Sequence, residues 1–160
     1  MEIIIRPYEE KDEKEFKKSI IDLQNFECDF DPEMLSGEAT VDAWFNHILE
    51  ENRKKDGQIF VAEVDENVVG FISLRIEPKV EEILLPNIKS VFVSDFIVNR
   101  EFRGKGIGKL LMAKAYEYAK EKNIPYIKLS VFSANTNAKE MYRKLGFEDQ
   151  SVTMIKKLNY

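Results

Sequence analysis

The residues best suited to chemistry lie in a glycine-rich segment in the second half of the chain. Gly104, Gly106 and Gly108 recur within five positions, shortly after a predicted strand that ends at Val98. A backbone without Cβ atoms can approach a ligand closely, and the N-terminus of a following helix adds partial positive charge. Cationic side chains accompany the glycines: Arg103, Lys105 and Lys109. The segment predicts a pyrophosphate-binding loop, with a tight strand-to-helix turn that merely needs glycine as the alternative.

The spacing of this segment excludes two common phosphate-binding loops. A Walker loop needs four residues between its first glycine and the Gly-Lys pair, and then a hydroxyl side chain for magnesium. Here three residues separate Gly104 from Gly108, and Leu110 follows Lys109. The dinucleotide-binding motif needs a glycine in place of Lys109 and an early strand, whereas this segment lies late in the chain. Neither a Walker-type nucleotide site nor an NAD site fits.

The chain has the size and composition of one globular domain. Its 160 residues are 44% hydrophobic and 33% charged, which suffices for a substantial core. No uncharged apolar run approaches the roughly 18 residues that span a bilayer, and Arg6 comes too early for a signal peptide. Cys28 and His47 are the single cysteine and histidine, so a Cys/His metal cluster is excluded. We therefore expect one domain over residues 1–160, cytoplasmic, with no metal and no membrane partner.

The two halves of the chain differ in net charge. Residues 1–80 contain 10 Lys and Arg against 20 Asp and Glu, whereas residues 81–160 contain 14 against 9. The first half is therefore at −10 and the second at +5, which gives the overall −5. This asymmetry favours a cationic ligand for the first half and an anionic one for the second, unless both are solvated surfaces. An isoelectric point of about 5.1 and the lack of a long basic stripe argue against nucleic acid as the partner.

Hydrophobic periodicity predicts strands and helices in mixed order. The predicted strands cover residues 3–6, 58–64, 68–76, 90–98, 126–132 and 152–158. The predicted helices cover a stretch around residues 16–26, one that begins at an N-cap at Thr40, one that follows Lys109 and runs to about Lys122, and residues 135–145. Asp65-Glu66-Asn67 is typical of a hairpin turn, and residues 77–89 are predicted as a loop or an irregular strand. This order predicts an α/β domain with helices on both faces of one sheet.

Two motifs resemble those of the GCN5-related N-acetyltransferase (GNAT) superfamily. Residues 103–108, Arg-Gly-Lys-Gly-Ile-Gly, are similar to its Arg/Gln-x-x-Gly-x-Gly/Ala segment, which binds the pyrophosphate of acetyl-CoA in that family. Asn135, Ala138, Tyr142 and Gly146-Phe147 stand at its Asn-x-x-Ala-x-x-x-Tyr-x-x-x-Gly-Phe spacing. The resemblance implies a central mixed, mostly antiparallel sheet of about six to seven strands. It also implies about four flanking helices and a splay between the fourth and fifth strands.

The resemblance also assigns residues to acetyl-CoA. It implies that the pantetheine arm lies along the fourth strand and that the glycine-rich segment holds the pyrophosphate. The implied acetyl-CoA-binding residues are Phe96, Ile97, Val98, Arg103, Gly104, Lys105, Gly106, Ile107, Gly108, Lys109, Asn135, Ala138 and Tyr142. Direct transfer from a thioester to an amine needs no covalent enzyme intermediate, which suits a chain so poor in cysteine and histidine.

The resemblance implies an acid, and it leaves the base open. Tyr142 matches the family tyrosine thought to protonate the departing thiolate, unless it only packs its helix against the sheet. Asp95 lies beside the implied acetyl site, but strand alternation predicts that Ser94 and Asp95 face opposite sides. Several family members carry a glutamate where Ser94 stands. Asp95 could act directly or only pair with a cation, or Ser94 could hold a water that relays the proton to Asp29 or Asp31.

The resemblance implies that the connection between the first two helices helps to bind the acceptor. Residues 26–38 combine carboxylates with aromatic rings, which would attract an ammonium group and hold its charge. The expected substrate-binding residues are Phe26, Asp29, Phe30, Asp31 and Ser94. A solvated acidic loop is the alternative. Trp44 is interpreted as a core residue, His47 as a surface residue and Cys28 as a spectator.

Together these features predict an acetyl-CoA-dependent N-acetyltransferase that acts on a small cationic amine or polyamine. One alternative is a protein or peptide N-acetyltransferase with an open acceptor groove. A second is a catalytically silent CoA-sensing module, which Ser94 in place of an acid favours and the presence of Tyr142 and Asn135 disfavours. The resemblance also allows a homodimer, although no sequence feature identifies its interface.

Overall fold

The computed structural model describes residues 2–78 and 88–158. These residues form two compact units, Met1–Ser130 and Val131–Tyr160. Most of the loop predicted at residues 77–89 lies outside the described residues. Within the described ranges, no helix is long and apolar enough to cross a membrane.

A five-stranded sheet forms the centre of the first unit. Its strands are β1 (Ile4–Pro7), β2 (Gln58–Val64), β3 (Asn67–Pro78), β4 (Lys89–Val98) and β5 (Ile127–Leu129). They stand in the order β1-β2-β3-β4-β5, antiparallel except for the parallel pair β4–β5. Asp65 and Glu66 close the β2–β3 hairpin with φ angles of 49° and 64°, as a two-residue turn with left-handed residues requires. The predicted mixed, mostly antiparallel sheet and its hairpin are thereby confirmed.

The prediction of six to seven strands is wrong for the described residues, which contain five. Residues 152–158, predicted as a last strand, are without regular structure as far as residue 158. Val152, Met154 and Ile155 are 77%, 91% and 95% exposed there. Apolar and β-branched residues favour a strand only where a neighbouring strand completes the hydrogen bonds, and the second unit contains no strand within residues 131–158.

The described residues contain four α-helices, three in the first unit and one in the second. They are α1 (Glu13–Glu27), α2 (Gly37–Lys54), α3 (Ile107–Glu121) and, in the second unit, α4 (Thr136–Lys144). The helix α2 begins earlier than predicted, because Ser36 and not Thr40 is its N-cap. The Ser36 hydroxyl accepts a hydrogen bond from the Ala39 N–H, while the Thr40 hydroxyl donates to Gln24 on α1 at 2.7 Å.

The core of the first unit lies between the sheet and the pair α1–α2. The Phe16 and Phe71 rings, from α1 and β3, have centroids 4.3 Å apart. The buried residues of this cluster are Phe16, Ile20, Phe45, Ile48, Ile59, Val61, Val68, Phe71 and Ile97. The opposite face is covered by α3, where a Cβ atom at Gly108 would lie 3.3 Å from the Phe96 ring. Burial on both faces explains the run without a polar side chain from Val68 to Ile72 in β3.

Candidate functional site

The strand β4 continues past the end of its parallel partner. The β4–β5 ladder covers three residue pairs, from Val91–Ile127 to Val93–Leu129, whereas β4 runs on to Val98. Phe96, Ile97 and Val98, the residues expected along the pantetheine arm, all lie beyond the last pair of this ladder. Ile97 is buried against α1 and α2, and Phe96 lies on the α3 side. The backbone of this end of β4 is therefore outside the β4–β5 ladder.

A β-bulge in β4 brings Ser94 and Asp95 to the same face of the sheet. Asp95 pairs with Ser73, but the next pair is Val93 with Leu74, so that Ser94 is an extra residue. The Ser94 hydroxyl donates to the Ser73 hydroxyl at 3.0 Å, and the Asn52 amide of α2 donates to that same hydroxyl at 2.9 Å. The expectation that Ser94 and Asp95 face opposite sides is therefore wrong, because the extra residue interrupts strand alternation.

Trp44 holds the Asp95 carboxylate from α2. The indole Nε1–H donates to Asp95 Oδ1 at 2.9 Å, and Asp95 is 6% exposed. Trp44 itself is 38% exposed, so its interpretation as a core residue is wrong. A tryptophan on an apolar helix stripe still carries an N–H that needs an acceptor, and Asp95 provides it here. The result is a fixed carboxylate beside an accessible aromatic ring.

Burial and hydrogen bonding act on Asp95 in opposite directions. Burial raises the pKa of the Asp95 carboxyl, and the hydrogen bonds from Trp44 and Ser94 oppose this rise. Electrostatic interactions with Arg75 on β3 and with His47 on α2 also lower this pKa. The His47 ring lies 5.0 Å from the Trp44 ring and is exposed, as expected for a surface residue.

Glu27, the last residue of α1, is a second carboxyl group near Asp95. Burial, and secondarily the negative charge of Asp95, raises the pKa of Glu27 to about 7. Glu27 is one of the carboxylates of residues 26–38 that were expected together to attract an ammonium group. Its position could have identified it, because Glu27 follows Phe16, Ile20 and Leu23 on the helix stripe that faces the core.

The glycine-rich segment leaves open space around its backbone. Gly104 and Gly106 have φ angles of 76° and 84°, and a Cβ atom at either position would meet no atom of the described residues within 4 Å. Gly106 is the N-cap of α3 and has no side chain to occupy the free N–H groups of the first turn. Ile107 is 1% exposed and fixes the start of the helix. The Lys109 N–H donates to the Gly106 carbonyl at 3.0 Å, so the N–H groups before Lys109 are the ones suited to meet an anion at this turn.

Arg103 connects this segment with the end of α1. Its Nε donates to the Val98 carbonyl at 2.8 Å, and its guanidinium lies 5.3 Å from the centre of the Phe26 ring. Phe26 in turn contacts Phe30 edge to face, with centroids 5.1 Å apart. The remaining cations of the segment, Lys105 and Lys109, are exposed. Phe26, Phe30 and Arg103 are therefore brought together.

The two loop aspartates are placed differently from Glu27. Asp29 is exposed, and the Asp31 carboxylate accepts a hydrogen bond from the Glu33 N–H at 3.1 Å, which stabilises the loop itself. Within the described part of the chain, Glu27 is the carboxyl group whose pKa is raised by the charge of Asp95. The acidic character of the site therefore comes from the end of α1 and from β4.

In the second unit, the motif residues of α4 define the ends of that helix. The Asn135 side chain accepts from the Ala138 N–H at 3.2 Å, as an N-cap does. Gly146 has a φ angle of 87°, and the Phe147 N–H donates to the Tyr142 carbonyl at 3.0 Å. The Tyr142 and Phe147 rings lie 5.7 Å apart. This is the glycine-ended Schellman cap with its apolar contact, so helix capping explains the spacing of the motif.

The structure contains no group of three His, Cys, Asp or Glu side chains placed to hold a metal ion within residues 2–78 and 88–158. The ionisable residues of the candidate site are carboxylates and cations from separate elements, each with the contacts described above.

Comparison with known proteins identifies relatives over most of the chain. The profile of the Acetyltransferase (GNAT) family matches residues 19–147. An uncharacterized N-acetyltransferase of Methanocaldococcus jannaschii is 37% identical over 102 residues, which are 62% of this chain and 42% of that protein. The matched stretch spans between 42% and 64% of the length of the first four curated relatives.

Solved structures share the fold over nearly the full length. A mutant of the BH1408 protein from Bacillus halodurans superposes with a TM-score of 0.85 at 23% identity, covering 98% of this chain and 99% of that one. An aminoglycoside N-acetyltransferase in complex with CoA superposes with a TM-score of 0.71 at 18% identity, covering 99% and 96%. At these identities the likeness concerns the fold.

Proposed function

Because the chain belongs to the Acetyltransferase (GNAT) family, we propose that it transfers an acetyl group from the thioester of acetyl-CoA directly to a primary amine. In this proposal, the two units act as one N-acetyltransferase domain over residues 1–160. The observation that carries it is the end of β4, which leaves the β4–β5 ladder after Val93 and leads into the open glycine-rich segment.

The acetyl-CoA site is proposed along that path. Phe96, Ile97 and Val98 offer an extended backbone to the pantetheine arm, and Arg103–Lys109 offers backbone N–H groups and positive charge to the pyrophosphate. The open volume at Gly104 and Gly106 fits a ligand that approaches the backbone closely. For Asn135, Ala138 and Tyr142 of the second unit, a role in acetyl-CoA binding is proposed from the family motif alone.

The acceptor is proposed to be a small cationic amine or polyamine. Asp95 and Glu27 supply negative charge, while Trp44 and the pair Phe26–Phe30 supply aromatic surfaces. An ammonium group is attracted by both, because carboxylates attract its charge and aromatic faces hold it. Ser94 supports this side by its hydrogen bonds near Asp95. The loop residues Asp29 and Asp31 add charge at the periphery.

Two residues are proposed to act on the reacting atoms. Asp95 stabilises the positive charge that the nitrogen carries when it attacks the thioester carbonyl. Tyr142 donates a proton to the thiolate as the carbon–sulfur bond breaks, a transfer that a phenol can make at neutral pH. Direct transfer needs no nucleophile from the protein.

The test is release of free thiol from acetyl-CoA with a panel of polyamines, aminoglycosides, amino acids and short peptides. We expect release with small cationic amines and a product heavier by one acetyl group. Preference for peptides would replace the small amine with a protein or peptide acceptor. Acetyl-CoA binding in calorimetry without turnover on any amine would favour a CoA-sensing module, and no binding at all would refute the proposal.

A further inference from the structure

The Glu27 carboxylate has no partner of its own near the candidate acceptor site. It is half-buried at the end of α1 and makes no hydrogen bond or ion pair with another described residue. Neighbouring carboxylates are engaged differently: Asp31 accepts from the Glu33 N–H, and Glu38 accepts from Asn25 at 3.0 Å. Because a partly buried carboxylate without a partner is costly when charged, Glu27 gains from an incoming proton or cation.

Asp95, in contrast, is fixed. The Trp44 indole holds one of its oxygens at 2.9 Å, Ser94 also hydrogen-bonds to it, and its side chain is 6% exposed. Such donors favour the charged form against the effect of burial, and they leave the carboxylate little freedom to turn toward a substrate proton. The two carboxyl groups thus differ in accessibility and in the number of hydrogen bonds.

The charged groups around this pair come from four elements. Glu27 belongs to α1 and Asp95 to β4, and the charge of Asp95 raises the pKa of Glu27. Arg75 on β3 and His47 on α2 lower the pKa of Asp95. Arg103, between β4 and α3, lies over the ring of Phe26, the residue that precedes Glu27 in the chain. A Glu27 carboxyl that loses its proton near neutral pH beside a fixed charge is suited to taking a proton from an ammonium group.

We propose that Glu27 accepts the proton of the acceptor ammonium, and that Asp95 is the fixed charge that holds this ammonium beside Glu27. This inference rests on the proposed acetyltransfer to an amine. Glu27 removes one proton from the ammonium nitrogen, and the neutral amine forms the C–N bond at the thioester carbonyl carbon. The C–S bond breaks, and the departing thiolate takes up a proton. The nitrogen loses its second proton as the amide forms, so the number of protons is balanced. The proton on Glu27 then passes to solvent.

A spectroscopic test follows from the single tryptophan. Trp44 is the only tryptophan of the chain and donates to Asp95, so its fluorescence should respond when the neighbouring Glu27 changes charge. Imidazoles also change charge between pH 5 and 8, and His47 lies 5.0 Å away, so the titration is done in the His47→Gln variant. We expect a transition near pH 7 in His47→Gln that is absent from the double variant His47→Gln/Glu27→Gln. No transition in His47→Gln, or its persistence in the double variant, overturns the proposal.

A kinetic test separates the proton acceptor from a structural residue. With the best amine, kcat/KM of the wild type should rise with pH through about 7, because the Glu27 carboxylate is the active form. Glu27→Gln should lose this limb and about 100-fold or more in kcat/KM, with unchanged affinity for acetyl-CoA. Glu27→Asp should recover part of the rate, and Asp22→Asn, an exposed carboxylate on the same helix, should behave as wild type. An unchanged pH profile in a folded Glu27→Gln variant refutes the role.

The two proposals fail in different ways. If the Glu27-dependent fluorescence transition occurs and acetyl-CoA binds, but no amine is acetylated, acetyltransfer is refuted together with the catalytic role of Glu27. If the wild type acetylates an amine and Glu27→Gln retains its rate and pH profile, acetyltransfer stands and the inference on Glu27 is refuted.

Discussion

Replacing Gly106 with alanine separates backbone strain from ligand binding at the glycine-rich segment. An alanine at a φ angle of 84° costs about 1–2 kcal/mol, of which roughly 0.4–1 kcal/mol is offset by lower entropy of the unfolded chain. We therefore expect the free energy of unfolding to fall by about 1 kcal/mol. The added methyl group enters the open space where the proposed pyrophosphate lies. We expect the affinity for acetyl-CoA to fall at least about tenfold, which corresponds to about 1.4 kcal/mol.

The opposite end of the same helix provides the matched control. Asn123, just beyond α3, has a φ angle of 53° and an exposed side chain, so Asn123→Ala imposes similar strain far from the loop. Urea unfolding followed by circular dichroism should give comparable losses of stability for both variants. Calorimetry with acetyl-CoA should show weaker binding in Gly106→Ala only. Wild-type affinity in Gly106→Ala, or an equal loss in Asn123→Ala, would refute the assignment of the loop.

Three further substitutions test the acid, the ion pair near β1 and the buried carboxylate. Tyr142→Phe keeps the ring that contacts Phe147, and should lower turnover at least tenfold in a thiol-release assay without changing acetyl-CoA affinity. Asp12 accepts two hydrogen bonds from Arg6, at 2.6 and 2.8 Å, which lowers its pKa. Asp12→Asn should therefore reduce the free energy of unfolding in urea by about 2 kcal/mol at pH 7, and this difference should shrink below about pH 4. Burial raises the pKa of Asp95, so its negative charge disfavours folding at pH values above that pKa. Asp95→Asn should therefore unfold at a higher urea concentration than the wild type at pH 7, while its turnover falls.

Local periodicity was sufficient to predict most of the elements. The strand at residues 58–64 was predicted with the bounds it has, because its apolar run ends at a turn of Asp65 and Glu66. The start of α2 was not predicted, because both Ser36 and Thr40 are good N-cap residues and only the packing of Thr40 against Gln24 places it inside the helix. The prediction of a strand at residues 152–158 is wrong for a similar reason, because a strand depends on a neighbouring strand that local sequence does not specify.

The proposed acetyl-CoA side of the candidate site could be predicted from sequence better than the proposed acceptor side. The glycine-rich segment is continuous in the chain, so its residue types alone indicate its left-handed turns at Gly104 and Gly106. The acceptor side is assembled from Glu27, Trp44 and Asp95, which lie on three elements far apart in sequence. Their contacts depend on the way α1 and α2 pack on the sheet and on one extra residue in β4, and no local pattern encodes either.

The bulge at Ser94 changes which side chains of β4 face each side of the sheet. Before it, even-numbered side chains such as Phe92 and Ser94 face α2, whereas after it the odd-numbered Asp95 and Ile97 do. The strand therefore has two parts. In the part that pairs with β5 the even-numbered side chains face α2, and in the part that carries the candidate site the odd-numbered side chains do. Deleting Ser94 would restore regular alternation with Val93 and Asp95 on opposite faces, so Asp95 would still face α2, but the Ser94 hydroxyl would be lost from that face. The one extra residue thus gives the α2 face of the sheet two adjacent polar side chains, Ser94 and Asp95, where a regular strand would give it one.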